Sequence, residues 1–585
     1  MPIRSLIVSL VATAVAFAAP IPGGLAAKDI REVPVAADAL VVFQLNGYER
    51  TKDRLLAMIS AVSPQRGKDA KSSLDEFLKS ALEGRDLAAL DGKGRIFASV
   101  EAFEFLSGPP HLALFIPVTS YADFKKKLLT ADENKSLRAG GDKIDEFQLG
   151  GDGNSLYAVD SKDGYAIVTP VLAIAEKYAG KYDRLAAKTL GPIAETVLET
   201  DFSLFFHLDL IAQRYKNELD GAKNFLPLIV QQAAASLTPA QATSFKAFLD
   251  GLTKAIDNTA GFAIAFDARP EGFDARFEAS LKPDNETSDV LKDEKPGELS
   301  GLLDLPGGYG TYTAAKLSGR LLKSLQVFLA DMHADEPESK AGEAVAAYLA
   351  KVAGDTDSLS FGSDASNWLS VNATKEADAT AKAYAKALSL LGRTGQISNL
   401  ALKDVPKLEA DAATYGEVKL SKATIHFDFD ASVPTGANES ARAAAIAAMK
   451  AQRAEVQSIW FGSDGKNTLT ASAKDWEAAK AMLEARSKPK AKLADDKLVA
   501  VLRKQLPAKA SYLAIFDAKK LINDVGTSIG DLGELPVGLP AELTKLKPLT
   551  GDRVFLGTAI VVEPNRVRFE AFIPVAVLKL FEDLK

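Results

Sequence analysis

Ser358 to Ala373 reads SLSFGSDASNWLSVNA, and Ser458 to Ala473 reads SIWFGSDGKNTLTASA. The two stretches stand 100 positions apart, and Ser358, Phe361, Gly362, Ser363, Asp364, Asn367, Leu369 and Ala373 all recur in the later one. Each has an apolar run, a Gly-Ser-Asp turn and an alternating run. In the later copy Thr468, Thr470 and Ser472 alternate with Leu469, Ala471 and Ala473. Period-two alternation describes a strand with one buried and one wet face, and a polar turn between two such runs describes a β-hairpin. The pair predicts two hairpins of the same construction.

Working outward, Arg276-Phe277-Glu278-Ala279 recurs as Arg568-Phe569-Glu570-Ala571, and Phe115-Ile116-Pro117-Val118 as Phe572-Ile573-Pro574-Val575. Upstream of that last pair, Arg95-Ile96-Phe97 matches Arg553-Val554-Phe555. Self-similarity in equivalent context marks a repeated supersecondary unit. The alternation places Phe273, Ala275, Phe277 and Ala279 on a buried face, against Asp274, Arg276, Glu278 and Ser280 on a wet one. Changing Phe277 or Phe569 to Asp is then expected to cost several kcal/mol.

A second element precedes the hairpins, an apolar strand running into a helix. Examples are Leu40 to Leu45, Phe202 to Leu208, Tyr309 to Ala315 and Tyr512 to Phe516. After the third, Leu317, Leu321, Leu322, Leu325, Phe328, Leu329 and Met332 follow helical spacing, as do Phe245, Phe248, Leu249, Leu252 and Ile256 earlier. The expected fold is α+β. Tandem strand–helix–hairpin–helix units form antiparallel sheets covered on one face by amphipathic helices. The expected boundaries are a leader at 1–26, then units at 27–198, 199–300, 301–395, 396–490 and 491–585. Linkers are expected at Lys282 to Ser300 and Ser487 to Lys497, with a weaker one at Ala187 to Thr200. Polar loops at Ala131 to Glu146 and His333 to Gly342 read as surface excursions.

Composition agrees with a globular chain: 585 residues, 47% hydrophobic, 25% charged and no Cys. Without Cys there is no disulfide, thiol nucleophile or thiolate metal site. The net charge of −7 is too mild to suggest a nucleic-acid partner. Arg4, the apolar run Leu6 to Ala19, and the small-residue sites Ala16-Phe17-Ala18 and Gly24-Leu25-Ala26 have the layout of a secretory signal peptide. Pro20 and Pro22 stop the run short of the roughly 20 apolar residues a spanning helix needs. Export to the periplasm or beyond is expected, with no transmembrane span in the mature chain.

A leader followed by Ala39-Leu40-Val41-Val42-Phe43 and a helix, then duplicated hairpin–helix units, resembles a group of exported repeat-containing proteins of bacteria, notably planctomycetes. The resemblance implies export and a bacterial source. That group has no agreed activity, so no functional residue carries over.

Of the four His, His426 has the most suggestive setting, Thr424 to Asp430 (TIHFDFD). Alternation puts His426, Asp428 and Asp430 on one strand face, with Ile425, Phe427 and Phe429 on the other. A His and two carboxylates are ligands for a divalent cation. Same-face neighbours, however, stand roughly 6.5–7 Å apart along a strand, which opposes convergence on one ion, and a wet strand face gives the same pattern. His207 lies in an apolar strand, while His111 and His333 read as surface. Ser463-Asp464-Gly465-Lys466 and Ser487-Lys488-Pro489-Lys490 spell S-x-x-K, but in a hairpin turn and a Lys/Pro linker rather than on a helix in a cleft. Gly150-Gly151-Asp152-Gly153 and Gly307-Gly308-Tyr309-Gly310 lack phosphate-loop spacing. Lys125-Lys126-Lys127 reads as the solvated face of a helix whose Phe124 and Leu128 point inward.

No catalytic residue and no cofactor is therefore expected. The sequence favours an exported, non-catalytic repeat protein with a binding or structural role at the bacterial envelope, its partner and oligomeric state open. Alternatives are a carrier of lipid or another apolar ligand, which needs a continuous apolar cavity, and a hydrolase whose residues meet only in three dimensions.

Overall fold

Hairpins form where the alternating runs meet polar turns, and they set the architecture seen in the computed structural model. It describes residues 32–223, 253–321, 343–351 and 359–583, apart from 82–84, 105–109, 150–153, 162, 255, 317, 319, 346, 349–350, 365–366, 394, 398–399, 434–438, 488–491 and 524–548. The leader, most of the two helices expected over 245–256 and 317–332, His333, Gly150 to Gly153 and Lys488 to Lys490 lie outside the described residues. The chain divides into two compact units. The first comprises residues up to Leu219 with Thr259–Lys282 and Ile573–Lys579, and the second Asp220–Asn258, Pro283–Phe572 and Leu580–Lys585.

In the first unit the sheet strands are β1 Val41–Leu45, β2 Ile96–Ala102, β3 His111–Pro117, β4 Arg138–Gly141 and β5 Ile144–Gln148, then β6 Ser155–Ser161, β7 Tyr165–Thr169, β8 Phe202–Phe206, β9 Thr259–Arg269 and β10 Gly272–Leu281. All pair antiparallel, in the order β10-β9-β8-β1-β2-β3-β7-β6-β5-β4. In the second unit they are β11 Thr311–Ala315, β12 Leu359–Asp364, β13 Asn367–Ala373, β14 Lys407–Tyr415 and β15 Val418–Asp428, then β16 Val456–Ser463, β17 Asn467–Ala473, β18 Tyr512–Asp517, β19 Phe555–Glu563 and β20 Arg566–Pro574. Their order is β20-β19-β18-β11-β12-β13-β17-β16-β15-β14, again antiparallel throughout. Strand for strand, the second order is the first with ten added, and the second unit has besides a short hairpin, Gln396–Ile397 with Leu400–Leu402, paired to the end of β15.

The two FGSD segments lie in the hairpins β12–β13 and β16–β17, which meet edge to edge. Ser370 stands opposite Thr470, and Leu369 and Val371 face Ala471 and Leu469. Ser370 thus opposes its own counterpart and its neighbours exchange symmetrically, so a local two-fold axis passes between Ser370 and Thr470.

The expectation of one hydrated sheet face is corrected. In the second unit, Trp460, Leu420, Leu469 and Ala471 pack under two helices. These are α7 Trp476–Ser487, through Ala479 and Leu483, and α8 Lys497–Gln505, through Val499 and Leu502. On the opposite face Ile459, Phe461, Ala423, Ile425 and Phe427 pack against Leu388 of α5 Ala377–Arg393 and Ile446 and Met449 of α6 Glu439–Gln452. The run Ile459-Trp460-Phe461 is apolar on both sides, the signature of a strand buried on both faces. Thr468, Thr470 and Ser472, read as wet, are buried; their small side chains fit beneath a packed layer.

The first unit has the same two-sided packing. Phe97, Phe115, Val159 and Ile167 meet α3 Leu172–Ala179 and the residues from Leu190 to Leu198. On the other face Leu45 and Ile96 meet Tyr48 of α1 Tyr48–Val62 and Leu74 of α2 Pro64–Ala81. Phe147, Leu156, Ala158 and Ala166 meet Phe124 and Leu128 there. Each fully buried Phe contributes roughly 2–3 kcal/mol.

A second correction concerns the RFEA strands. Asp274 and Glu278 are 1% exposed while Phe277 is 37% exposed, so the charged side of β10 faces inward. Glu570 of β20 is likewise buried. Paired charges on the inner side replace an apolar face, as described below.

Two stretches read as loop or linker are structured. Ala131–Ser136 is a helix with a Thr130/Glu133 capping box, followed by the β4–β5 hairpin. Ala187 to Thr200 contains α4 Ala194–Glu199, whose Val197 and Leu198 are core residues. The carbonyls at its C-terminus, which have no partner within the helix, are satisfied from the sheet. Gln44 Nε2 donates to Leu198 O at 3.1 Å, Asn46 Nδ2 to Glu199 O at 3.1 Å, and Ser203 Oγ to Val197 O at 2.6 Å. Arg95 also donates to Leu198 O. Buried helix ends need such partners.

Candidate functional site

His426 lies on β15, and its Nδ1 meets Asp404 Oδ2 at 2.8 Å on an exposed surface. Asp428 ends that strand and caps the short helix Phe429–Ser432, accepting from Ala431 N at 3.0 Å. Asp430 falls inside this helix, not on the strand, and its carbonyl accepts from Arg442 Nη2 at 2.8 Å. The alternation stops because Asp428 caps that helix and so takes Asp430 out of the strand, while Phe427 and Phe429 lie in the core and stack at 6.0 Å. The expected three-residue face therefore reduces to His426 and Asp428. Among the described residues no group of three or more His, Asp or Glu is placed to hold a metal ion.

The other sequence candidates are scattered. His207 heads the helix Leu208–Arg214 and packs 5.7 Å from Phe205; burial lowers its pKa and favours neutral imidazole. His111 pairs with Glu104 at 2.8 Å. Ser463 and Lys466 sit in the β16–β17 turn. There Ser463 Oγ accepts from Gly465 N, and Asp464 Oδ1 accepts from Lys466 N, both at 2.9 Å. Lys125 and Lys127 pair with Asp145 and Asp123.

Two buried polar clusters escape a reading based on motifs, and both lie in the first unit. The larger joins the end of β8 to the β9–β10 hairpin and α1. Asp201 is 1% exposed; Arg50 Nε and Arg54 Nη1 approach its Oδ1 at 3.1 and 3.0 Å, and its Oδ2 accepts from Ala268 N at 3.2 Å. Its backbone N–H donates to Asp267 Oδ1 at 2.9 Å. Asp267 stands directly opposite Asp274 in the ladder. Like charges there repel. Arg276 and Arg269 offset that repulsion, reaching Asp274 Oδ2 at 2.7 and 3.4 Å and Asp267 Oδ2 at 3.6 and 3.5 Å. Asp274 Oδ1 is buried and finds no hydrogen-bond partner among the described residues. Burial raises the pKa of Asp201 and of Asp274, and the arginines partly oppose it. The readable signal was two Asp straddling a hairpin turn at facing positions, each two residues from an Arg. Chemically this cluster ties a helix to a sheet.

The smaller cluster surrounds Glu101 on β2. Ser99 Oγ and Tyr178 Oη each donate to Glu101 Oε1 at 2.5 Å, and Lys177 Nζ to Oε2 at 2.7 Å. Burial, followed by the neighbouring Glu101, drives the Tyr178 phenol far above its ordinary pKa, so it keeps its proton and donates to Glu101 while accepting from Ala36 N at 3.4 Å.

The second unit carries a cleft of about 340 Å3 lined by Asp304, Tyr415, Arg486 and Lys492. Its lining is charged, whereas an apolar ligand calls for apolar walls. Among the described residues, no helix is long and apolar enough to cross a membrane. A comparison with known protein families, characterised proteins and solved structures finds no match.

Proposed function

We propose that this chain is exported and serves as a non-catalytic binding or structural protein of the bacterial envelope, built by duplication of strand–helix–hairpin–helix units. The observation that carries the reading is the strand order, ten antiparallel strands in one sequence of neighbours, occurring twice. The groups β1-β2-β3, β8-β9-β10, β11-β12-β13, β15-β16-β17 and β18-β19-β20 each comprise one strand and a following hairpin, and α1 and α6 fill the interval in the first and fourth. Repetition of one module generates extended surface, the usual asset of repeat proteins in binding. The buried carboxylates support the same reading, since they are engaged by arginines, hydroxyls and a lysine of their own unit. The layout of Arg4, Leu6 to Ala19 and Ala26 supports export.

Two measurements test this. Sequencing the N-terminus of protein recovered from the envelope fraction should find the chain cut after Ala18 or Ala26; an intact Met1 in the cytoplasm would overturn export. Cross-linking in intact envelope, with mass spectrometry for protein and lipid, should recover a macromolecular partner. Recovery of one stoichiometric lipid in its place would establish the carrier instead.

A further inference from the structure

The cleft of the second unit is walled by four elements. Asp304 ends the turn Ser300–Asp304, Tyr415 ends β14, Arg486 lies in the last turn of α7, and Lys492 precedes α8. The walls are fixed. Leu493 N donates to Leu305 O at 2.9 Å, and Tyr415 Oη donates to Leu483 O, also at 2.9 Å. Lys492 Nζ meets Asp304 Oδ1 at 2.7 Å, which balances one positive charge against the one negative charge among the described lining residues. Arg486 is the surplus. Half-buried, it lines the cleft with neither an ion pair nor a hydrogen bond among the described residues, and it exerts a longer-range attraction on Asp464. That carboxylate is already engaged, by the N–H groups of Lys466 and Asn467 and by Asn467 Nδ2.

A guanidinium fork beside an ammonium suits a tetrahedral oxyanion. The fork takes two oxygens, and Lys492, with one of its three donors spent on Asp304, can take a third. We infer that this cleft binds a phosphate group, with Arg486 as the principal ligand and Lys492 as its assistant. A cavity of about 340 Å3 exceeds what a bare ion fills, so the phosphate belongs to a small ester or to the head of a lipid. This goes beyond the proposed function and does not depend on it.

Titration of the full chain with inorganic phosphate, glycerol 3-phosphate and acetate, followed by calorimetry, tests the assignment. Phosphate and glycerol 3-phosphate should saturate, and Arg486→Gln should weaken them about tenfold or more, a charge-assisted pair being lost. Lys492→Gln should weaken them less, and Lys474→Gln, a change at an exposed lysine of the same unit, should leave them unchanged. Thermal melting of each variant verifies that it is folded; Lys492→Gln carries the test if Arg486→Gln is not. Vesicles of phosphatidylglycerol that sediment the protein in an Arg486-dependent manner identify a lipid head as the source, and binding of the free ester alone identifies a soluble one. Acetate binding as tight as phosphate, no saturation below about 20 mM, or equal binding by wild type and Arg486→Gln would each overturn the site.

Discussion

The hairpins β9–β10 and β19–β20 occupy the same place in their respective sheet orders and solve opposite electrostatic problems. In β19–β20, Glu563 faces Arg566 across the ladder and meets its guanidinium at 2.6 Å, a pair formed within the hairpin. In β9–β10, Asp267 faces Asp274 beside the hairpin's own Arg269 and Arg276, and Asp201, bound to the hairpin backbone, brings in Arg50 and Arg54 of α1. The first arrangement is local and partly wet. The second is buried and welds three elements together. One strand order thus tolerates either charge scheme, because backbone pairing and apolar packing fix the order while charge decides what is fastened to what.

The largest expected break in that comparison is Asp201→Ala. It strips Arg50 and Arg54 of a buried partner and leaves Ala268 N without its acceptor, so a loss of about 2–3 kcal/mol is expected, held to that range because both arginines reach water. Glu563→Ala in the other hairpin should cost below about 1 kcal/mol, as for exposed pairs generally. Urea unfolding of the two variants measures the contrast, and equal losses would erase it.

Acid sharpens the comparison further. The raised carboxyl of Asp274 binds a proton more tightly in the folded chain than in the unfolded one, where Asp titrates near about 3.9. Its contribution to stability therefore grows as pH falls from above the raised value towards about 4. The stability of wild type minus that of Asp274→Asn should rise over this window; a flat or falling difference contradicts the assignment.

Next comes Phe277→Asp. With the ring 37% exposed, the change should cost under about 1 kcal/mol, against about 3–5 kcal/mol for Phe115→Ala in the same unit. Thermal melts of both would reveal inverted strand faces if the order were reversed. Smallest of all, His426→Gln removes an exposed contact with Asp404 and should shift stability by no more than about 0.5 kcal/mol in a urea titration.

The hairpins at Gly362 and Gly462 were legible because alternation and turn chemistry are local. Which side of a strand is buried was less so. Thr468, Thr470 and Ser472 spell a wet face, and only the helix packed above them makes it dry. Phe277 and Glu278 exchange their expected places for a related reason, since buried Glu278 accepts from the Thr196 hydroxyl, 82 positions away. Asp430 left its strand because Asp428 caps a short helix there, a chain reversal that strand periodicity does not show. The cleft is assembled from residues 304, 415, 486 and 492. No window of sequence contains it.

The C-terminus of α4 has a kinetic consequence. Its carbonyls are held by Gln44, Asn46 and Arg95, partners 154, 153 and 103 positions away, and β1 itself zips against β8. The early part of the chain therefore cannot close its centre until roughly the two-hundredth residue has been made. Such distant loop closure slows folding, and a nascent chain spends that interval open, its first strand waiting for a neighbour not yet synthesised.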